Sequence, residues 1–349
     1  MLRAAERTMS HWGGLLGTHC FIKAVSRLCL LMLAAFGAAC TSGADSGAGF
    51  ADSCFAVDDL RYPPTRSERE LRETLSQDEA LASVNLDLGR HAIFRRDYDK
   101  AQEYFQRALR ADAKCGMAYV AWGLALTESV RSSMPPERFS PAQQKKLDDA
   151  IEKYAASVAL DSGNKNAYAA WGFTLFRKST NNPLQMPTGV PEPTIEKYRR
   201  ALEIDPEFHW ALSGLSEVYL AYGSTYSSYV RHLRKQKRTE AVDPLSGKVQ
   251  PIGIIEERAT SFLEIARGAA EKSVRARPDD ARARIRWGKI LVAQGRMADA
   301  IAVFDPLAAM QVEKPLLREV VRYVRVAAKG RDSPTGNALL ERLEAKLRR

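Results

Sequence analysis

Beyond residue 39 the 349-residue chain holds three histidines, His91, His209 and His232, and three cysteines, Cys40, Cys54 and Cys115. None of the histidines stands near a second His or Cys at the spacing a metal site needs. The sequence has no H-E-x-x-H, G-x-S-x-G, P-loop or G-x-G-x-x-G, so the usual frames for metal, acyl-transfer, phosphate and dinucleotide chemistry are missing. Adjacent acids such as Asp148-Asp149 and Asp279-Asp280 do not face one another on a helix. They suit solvated faces or helix starts better than an acid–base pair. The expectation is a protein without catalytic activity, cofactor or metal. What remains is thiol chemistry at the cysteines and cation chemistry at Arg231, Arg234, Lys235, Lys237 and Arg238, the densest basic cluster. That cluster suits anionic lipid, lipopolysaccharide or an acidic protein surface, and competes with a plain solvated shaft.

The thiols gain meaning from the segment before them. Residues 28–39, LCLLMLAAFGAA, form a 12-residue apolar run behind Lys23 and Arg27. Basic residues, a short apolar core and then small residues are the order of a secretory signal. The run is short of the roughly 20 apolar residues a bilayer-spanning helix wants. It ends Gly37-Ala38-Ala39-Cys40, followed by a run of Thr, Ser, Gly, Ala and Asp. This pattern resembles the lipobox of bacterial lipoproteins, with Gly37 where that family usually has an aliphatic residue. The resemblance implies removal of residues 1–39, lipidation of Cys40, a flexible tether, and a cell-envelope location. With Thr rather than Asp at position 41, it implies the outer membrane, facing the periplasm. An oxidising envelope suggests a Cys54–Cys115 disulfide, against which stand two separate buried thiols. A secretory route also argues against nucleic acid as the partner of the basic cluster.

The charge is uneven. The net +10 arises wholly after Phe208: 26 Lys+Arg face 26 Asp+Glu up to that residue, and 26 face 16 beyond it. The 45% hydrophobic content is that of a globular chain.

The elements that carry these residues recur. Leu88-Gly89 precedes Tyr98, Ala101, Phe105 and Ala108, and Trp287-Gly288 precedes Gly295, Ala300 and Phe304. In both, Gly to Ala is 12 residues and Ala to aromatic is four. Trp122-Gly123 pairs with Ala150 and Tyr154, and Trp171-Gly172 pairs with Tyr198 and Ala201. A degenerate copy has Leu215, Tyr219, Ala266 and Ala270. This pattern resembles the tetratricopeptide repeat, and implies an all-α solenoid of helical hairpins. About five units are expected, over 82–115, 116–164, 165–208, 209–280 and 281–312. They lie within an array of 76–312 that follows a tether and N-terminal segment, 40–75, and precedes capping helices in 313–349. Ser76 and Glu79 have capping-box spacing and are expected to start the first repeat helix. Extra residues fall between the two helices of the middle units. Residues 132–141 and 179–193 are Pro-punctuated loops, whereas 224–276 reads as a protruding helical hairpin whose reversal is a turn or loop at 243–253.

The repeat places Trp122, Trp171 and Trp287 at buried positions, as core rather than as a ligand box. On the opposite side of the first helices, the resemblance implies a concave partner-binding groove. Its expected lining is Arg90, Phe94, Leu124, Phe173, Arg177, Trp210, Glu217, Arg282, Arg286 and Lys289. Arg282, Arg286 and Lys289 share one helical face, and three crowded cations predict a partner of acidic character. The function expected is a lipid-anchored envelope scaffold that docks a protein or peptide. The competing expectation is a small-ligand component of a transport or cell-wall system, with its pocket in the bore.

Overall fold

A computed structural model describes residue 60 and residues 64–77, 81–132, 139–179, 192–328 and 333–348, all within one compact unit, 51–349. Cys40, Cys54, the signal-like segment, Gly330 and most of the two Pro-rich inserts lie outside these residues. Among the described residues there are thirteen α-helices and one two-stranded ribbon. Helix α1 (Glu68–Gln77) precedes six helical hairpins. They are α2 (Ala82–Phe94) with α3 (Tyr98–Ala111), α4 (Gly116–Ser132) with α5 (Pro141–Leu160), and α6 (Lys165–Ser179) with α7 (Glu192–Ile204). Then come α8 (His209–Lys235) with α9 (Ile252–Ala276), α10 (Ala281–Ala293) with α11 (Met297–Phe304), and α12 (Lys314–Ala328) with α13 (Pro334–Arg348). Each first helix also touches the first helix of the next hairpin. The fold is all-α, a solenoid of the tetratricopeptide type.

Why these segments pack so closely is visible at the repeat glycine. A Cβ on Gly89 would lie 2.3 Å from the Phe105 ring, one on Gly123 2.6 Å from Tyr154, and one on Gly288 2.2 Å from Phe304. The aromatic ring of the second helix therefore fills the space left by the missing side chain of the first. Ala101, Ala150, Ala201 and Ala300, each fully buried, let the helix axes approach. Helix starts follow ordinary capping chemistry. Ser140 and Gln143 form a capping box, and Asp280 accepts from the backbone N–H of Arg282 and Ala283.

Three expectations change. Ser76 does not start the first repeat helix: it lies inside α1 and donates to the Glu73 carbonyl. The box that opens α1 is Ser67 with Glu70, whose carboxylate accepts from the Ser67 N–H at 2.8 Å. Leu71 of α1 is fully buried against Val84, Leu88 and Tyr104, so this helix shields the open end of the array. The turn of the long hairpin is a ribbon, β1 (Glu240–Val242) with β2 (Val249–Pro251), rather than a loop. In the fourth hairpin the close approach has moved outward, to Gly223 of α8, where an added Cβ would lie 2.7 Å from the Leu263 side chain of α9.

Apolar contacts fall into two main clusters. One runs from Leu60, ahead of α1, to Ile290 in α10, and the other from Ile285 in α10 to Leu343 in α13. Trp287 packs against both.

Candidate partner-docking face

The first helices of the middle hairpins are buried on most of their circumference, which is why their apolar periodicity is weak. This decides the fate of several groove residues. Leu124 is buried, and Trp210 is 4% exposed, with its ring edge-on to Phe208 at 6.3 Å. Neither can serve as an exposed groove anchor, because neighbouring helices cover both sides of α4 and of the first half of α8. Arg90 is also buried, and pairs at 3.0 Å with Asp87, which holds Arg66 at 2.6 Å as well. The Arg66 contact ties the segment just before α1 to α2. Phe173 and Arg177 are half-buried on α6, and Phe94 is 44% exposed at the end of α2.

The fourth to sixth hairpins differ. Along α8, α10 and α12 runs a half-open charged strip. Arg282 bonds Glu313 at 3.0 Å, Arg286 bonds Glu217 at 2.8 Å and also donates to the Ser213 hydroxyl, and Lys289 bonds Glu319 at 2.7 Å. The Lys289 ammonium also lies 5.5 Å from the Tyr323 ring centroid. The spacing of the three cations on one face is as expected. The crowding is not, because each cation has its own carboxylate from an adjacent hairpin. The strip is charge-balanced, and the physical case for an acidic partner falls with the repulsion it was meant to relieve. Glu313 and Glu319 are missing from the expected lining, because the last two helices read as a cap rather than as a sixth hairpin contributing to the face.

The three tryptophans are half-buried rather than enclosed. Lys153 stands 4.4 Å from the Trp122 ring centroid and Lys197 stands 4.5 Å from that of Trp171. In each case the lysine immediately precedes the aromatic that fills the glycine notch. Cation–π contact thus covers the outward faces of these rings, and no stacked ligand box forms from them.

Polar groups sealed in the middle of the array are satisfied. Tyr154, Thr127 and Thr174 form a buried triangle of hydroxyls at 2.8–3.3 Å across three helices. Burial pushes the Tyr154 phenol well above its ordinary range, so it stays neutral. Cys115, fully buried at the turn between the first two hairpins, is disulfide-bonded. The expected partner, Cys54, lies outside the described residues. Leu60, buried beside this region, donates its N–H to Asn166 of α6 at 3.4 Å.

In the basic cluster, all five side chains are exposed. Arg234 pairs with Glu256 across the hairpin. Arg231, Lys235, Lys237 and Arg238 have no ion pair among the described residues.

The tetratricopeptide repeat model matches residues 86–131 and 255–310, which take in most of α2, α3 and nearly all of α4, and then most of α9 with α10 and α11. The chain therefore carries tetratricopeptide repeats inside a longer run of helical hairpins. A comparison with curated proteins gives no match. Among solved structures, the pilF protein of Pseudomonas aeruginosa is similar over 78% of this chain and 92% of its own, at 15% identity and a TM-score of 0.46. YrrB, a TPR protein with an unusual peptide-binding site, is similar over 80% of this chain and 99% of its own, at 11% identity and a TM-score of 0.34. TTC0263, a thermophilic TPR protein of Thermus thermophilus, covers 65% and 98% at 15% identity, with a TM-score of 0.37.

Proposed function

We propose that the protein is a lipid-anchored scaffold of the cell envelope that holds a protein segment along the α8–α10–α12 face. The observation that carries the docking part is the half-open strip of paired charges on three successive first helices. A strip of that kind can exchange its internal partners for those of an incoming segment of mixed charge, and it gives direction and register to the segment. The repeat supports a binding scaffold, since it supplies a stiff surface and the chain offers no catalytic frame. The lipobox-like Gly37-Ala38-Ala39-Cys40 supports the anchor. The disulfide at Cys115 supports an oxidising compartment.

Two experiments test the parts separately. Cys40→Ala should leave the chain unprocessed, or release it from the membrane fraction. Unchanged N-terminal mass and fractionation would sink the anchor. For the face, Arg282→Glu combined with Lys289→Glu puts a second carboxylate beside Glu313 and beside Glu319. Partners cross-linked in envelopes of the parent should disappear from this variant while its helicity holds. Retention of the same partners at moderate salt would overturn the docking face.

A further inference from the structure

The tip of the fourth hairpin has a composition that neither the array nor the docking face uses. In the ribbon, Val242 and Val249 stand directly opposite each other, and Ala241, between Glu240 and Val242, is buried against the shaft. Alternation therefore sends both valines outward, 51% and 64% exposed. Ile254, in the first turn of α9, adds a third outward apolar group at 42%. Soluble surfaces rarely gather β-branched residues at a protruding point.

Around this point lie five exposed cations without ion pairs among the described residues: Arg231, Lys235, Lys237, Arg238 and Lys248. The unpaired carboxylates nearby are Glu240 and Glu257. Two further acids nearby are already engaged, Glu256 by Arg234 and Asp243 by Arg258, which leaves five unpaired cations against two unpaired carboxylates.

The tip is also rigid. Asp243 is fully buried, and its carboxylate accepts from the Tyr226 hydroxyl at 2.9 Å, the Leu245 N–H at 3.0 Å and the Ser246 hydroxyl at 2.8 Å, besides Arg258. Tyr229 donates to the Val242 carbonyl at 3.1 Å. The valines are thus held in place before any contact, so little order has to be imposed on binding.

We propose that this tip docks on an anionic phospholipid surface, with the valine pair entering the boundary between headgroups and acyl chains and the cations meeting lipid phosphates. An apolar wedge ringed by cations matches both layers of such a surface in depth order, apolar innermost and charge at the headgroups. An acidic protein would satisfy the cations but would leave the outward valines without a reason. The inference goes beyond the scaffold reading and does not need a lipid on Cys40.

The test uses the purified full chain and two vesicle types, pure phosphatidylcholine and a 4:1 mixture of phosphatidylcholine with phosphatidylglycerol. The apolar run at residues 28–39 contributes equally to both, so the quantity read is their ratio. At 0.1 M salt the parent should bind the anionic vesicles about 10-fold more tightly, and the preference should fade towards 0.5 M as the charges are screened. Replacing Arg231, Lys235, Lys237 and Arg238 together by Gln should bring the ratio to within about 2-fold of unity. Val249→Trp should place an indole that brominated lipid quenches beyond the parent's five tryptophans. Circular dichroism checks that both variants keep the parent's helicity. Equal binding to both vesicles by the parent, an anionic preference that survives the Gln replacements, or an unquenched Trp in the Val249→Trp variant would each overturn the proposal. None of those results bears on processing at Cys40 or on the charged strip.

Discussion

At the residue scale, a small position matters by what occupies its notch. Gly288 receives the Phe304 ring, whereas Gly268 on α9 has open space where a Cβ would go. Gly288→Ala should therefore lower stability by about 1–3 kcal/mol through overpacking, while Gly268→Ala should raise it by about 0.4–1 kcal/mol by restricting the unfolded chain. Thermal melts of the two variants, moving in opposite directions, check the assignment. The same logic separates the strip's cations. Arg286, with an 18% exposed side chain, bonds Glu217 and Ser213, so Arg286→Ala should cost about 1–3 kcal/mol in unfolding free energy. Arg282 is 56% exposed, and Arg282→Ala should cost less than about 1 kcal/mol in the same denaturant titration. The spacing of Arg282, Arg286 and Lys289 is legible in the sequence, because a helix fixes which side chains share a face. Their carboxylates are not, since Glu217, Glu313 and Glu319 come from other hairpins and nothing local announces the pairing.

At the element scale, the notches and their fillers are readable as a repeat. The failures have a common physical origin. Stepping along α8 alone puts Trp210 in the groove, yet burial depends on what packs against α8 from both sides. Helix α1 is hidden by the false box spacing of Ser76 with Glu79. The signal for it is the true box of Ser67 with Glu70, followed by Leu71 and Leu75. The ribbon reads as a loop because three-residue strands give no measurable alternation. Its stability rests on Asp243. Burial pushes this carboxyl up, but the Leu245, Ser246 and Tyr226 hydrogen bonds and the Arg258 charge outweigh that and hold it below the usual range. A depressed native pKa stabilises the fold fully above the unfolded value, about 3.9, and the contribution is lost as pH falls through the native value. The tip should loosen below about pH 4, seen as a larger loss of amide protection, relative to the intrinsic exchange rate at each pH, at residues 241–250 than in α10 to α13. Asp243→Asn should bring the same exchange pattern at neutral pH.

At the scale of the whole molecule, stability of a stacked array is close to a sum over neighbours. A disulfide at Cys115 adds a long-range tie to that local ladder. Closing the loop of about 60 residues to Cys54 should stabilise the chain by roughly 2–5 kcal/mol. Reductant, or Cys115→Ser, should lower the thermal midpoint accordingly, and peptide mapping should find Cys54 and Cys115 in one linked fragment. The solenoid itself is legible from a few small and aromatic residues per unit, because close packing leaves few substitutes for glycine facing a ring. The partition of the core into two clusters is not legible, since the division runs through α10, a helix whose sequence matches the repeat as well as any other.

That division gives the molecule a mechanical polarity. The two clusters meet at Trp287, and the bonds across the join include Arg286 with Glu217 and Gln294 with Glu264 at 2.7 Å. A chain held at its N-terminus and loaded on the face of its last hairpins is pulled along this join. Residues 281–348 should peel away first as one step, lengthening the chain by roughly 22–24 nm before the remaining hairpins yield. In an optical trap that early rip would mark a fuse: on the docking proposed above, a partner under excess load would be let go by unzipping of its seat, while the hairpins before α10 stay folded and ready to rebuild it.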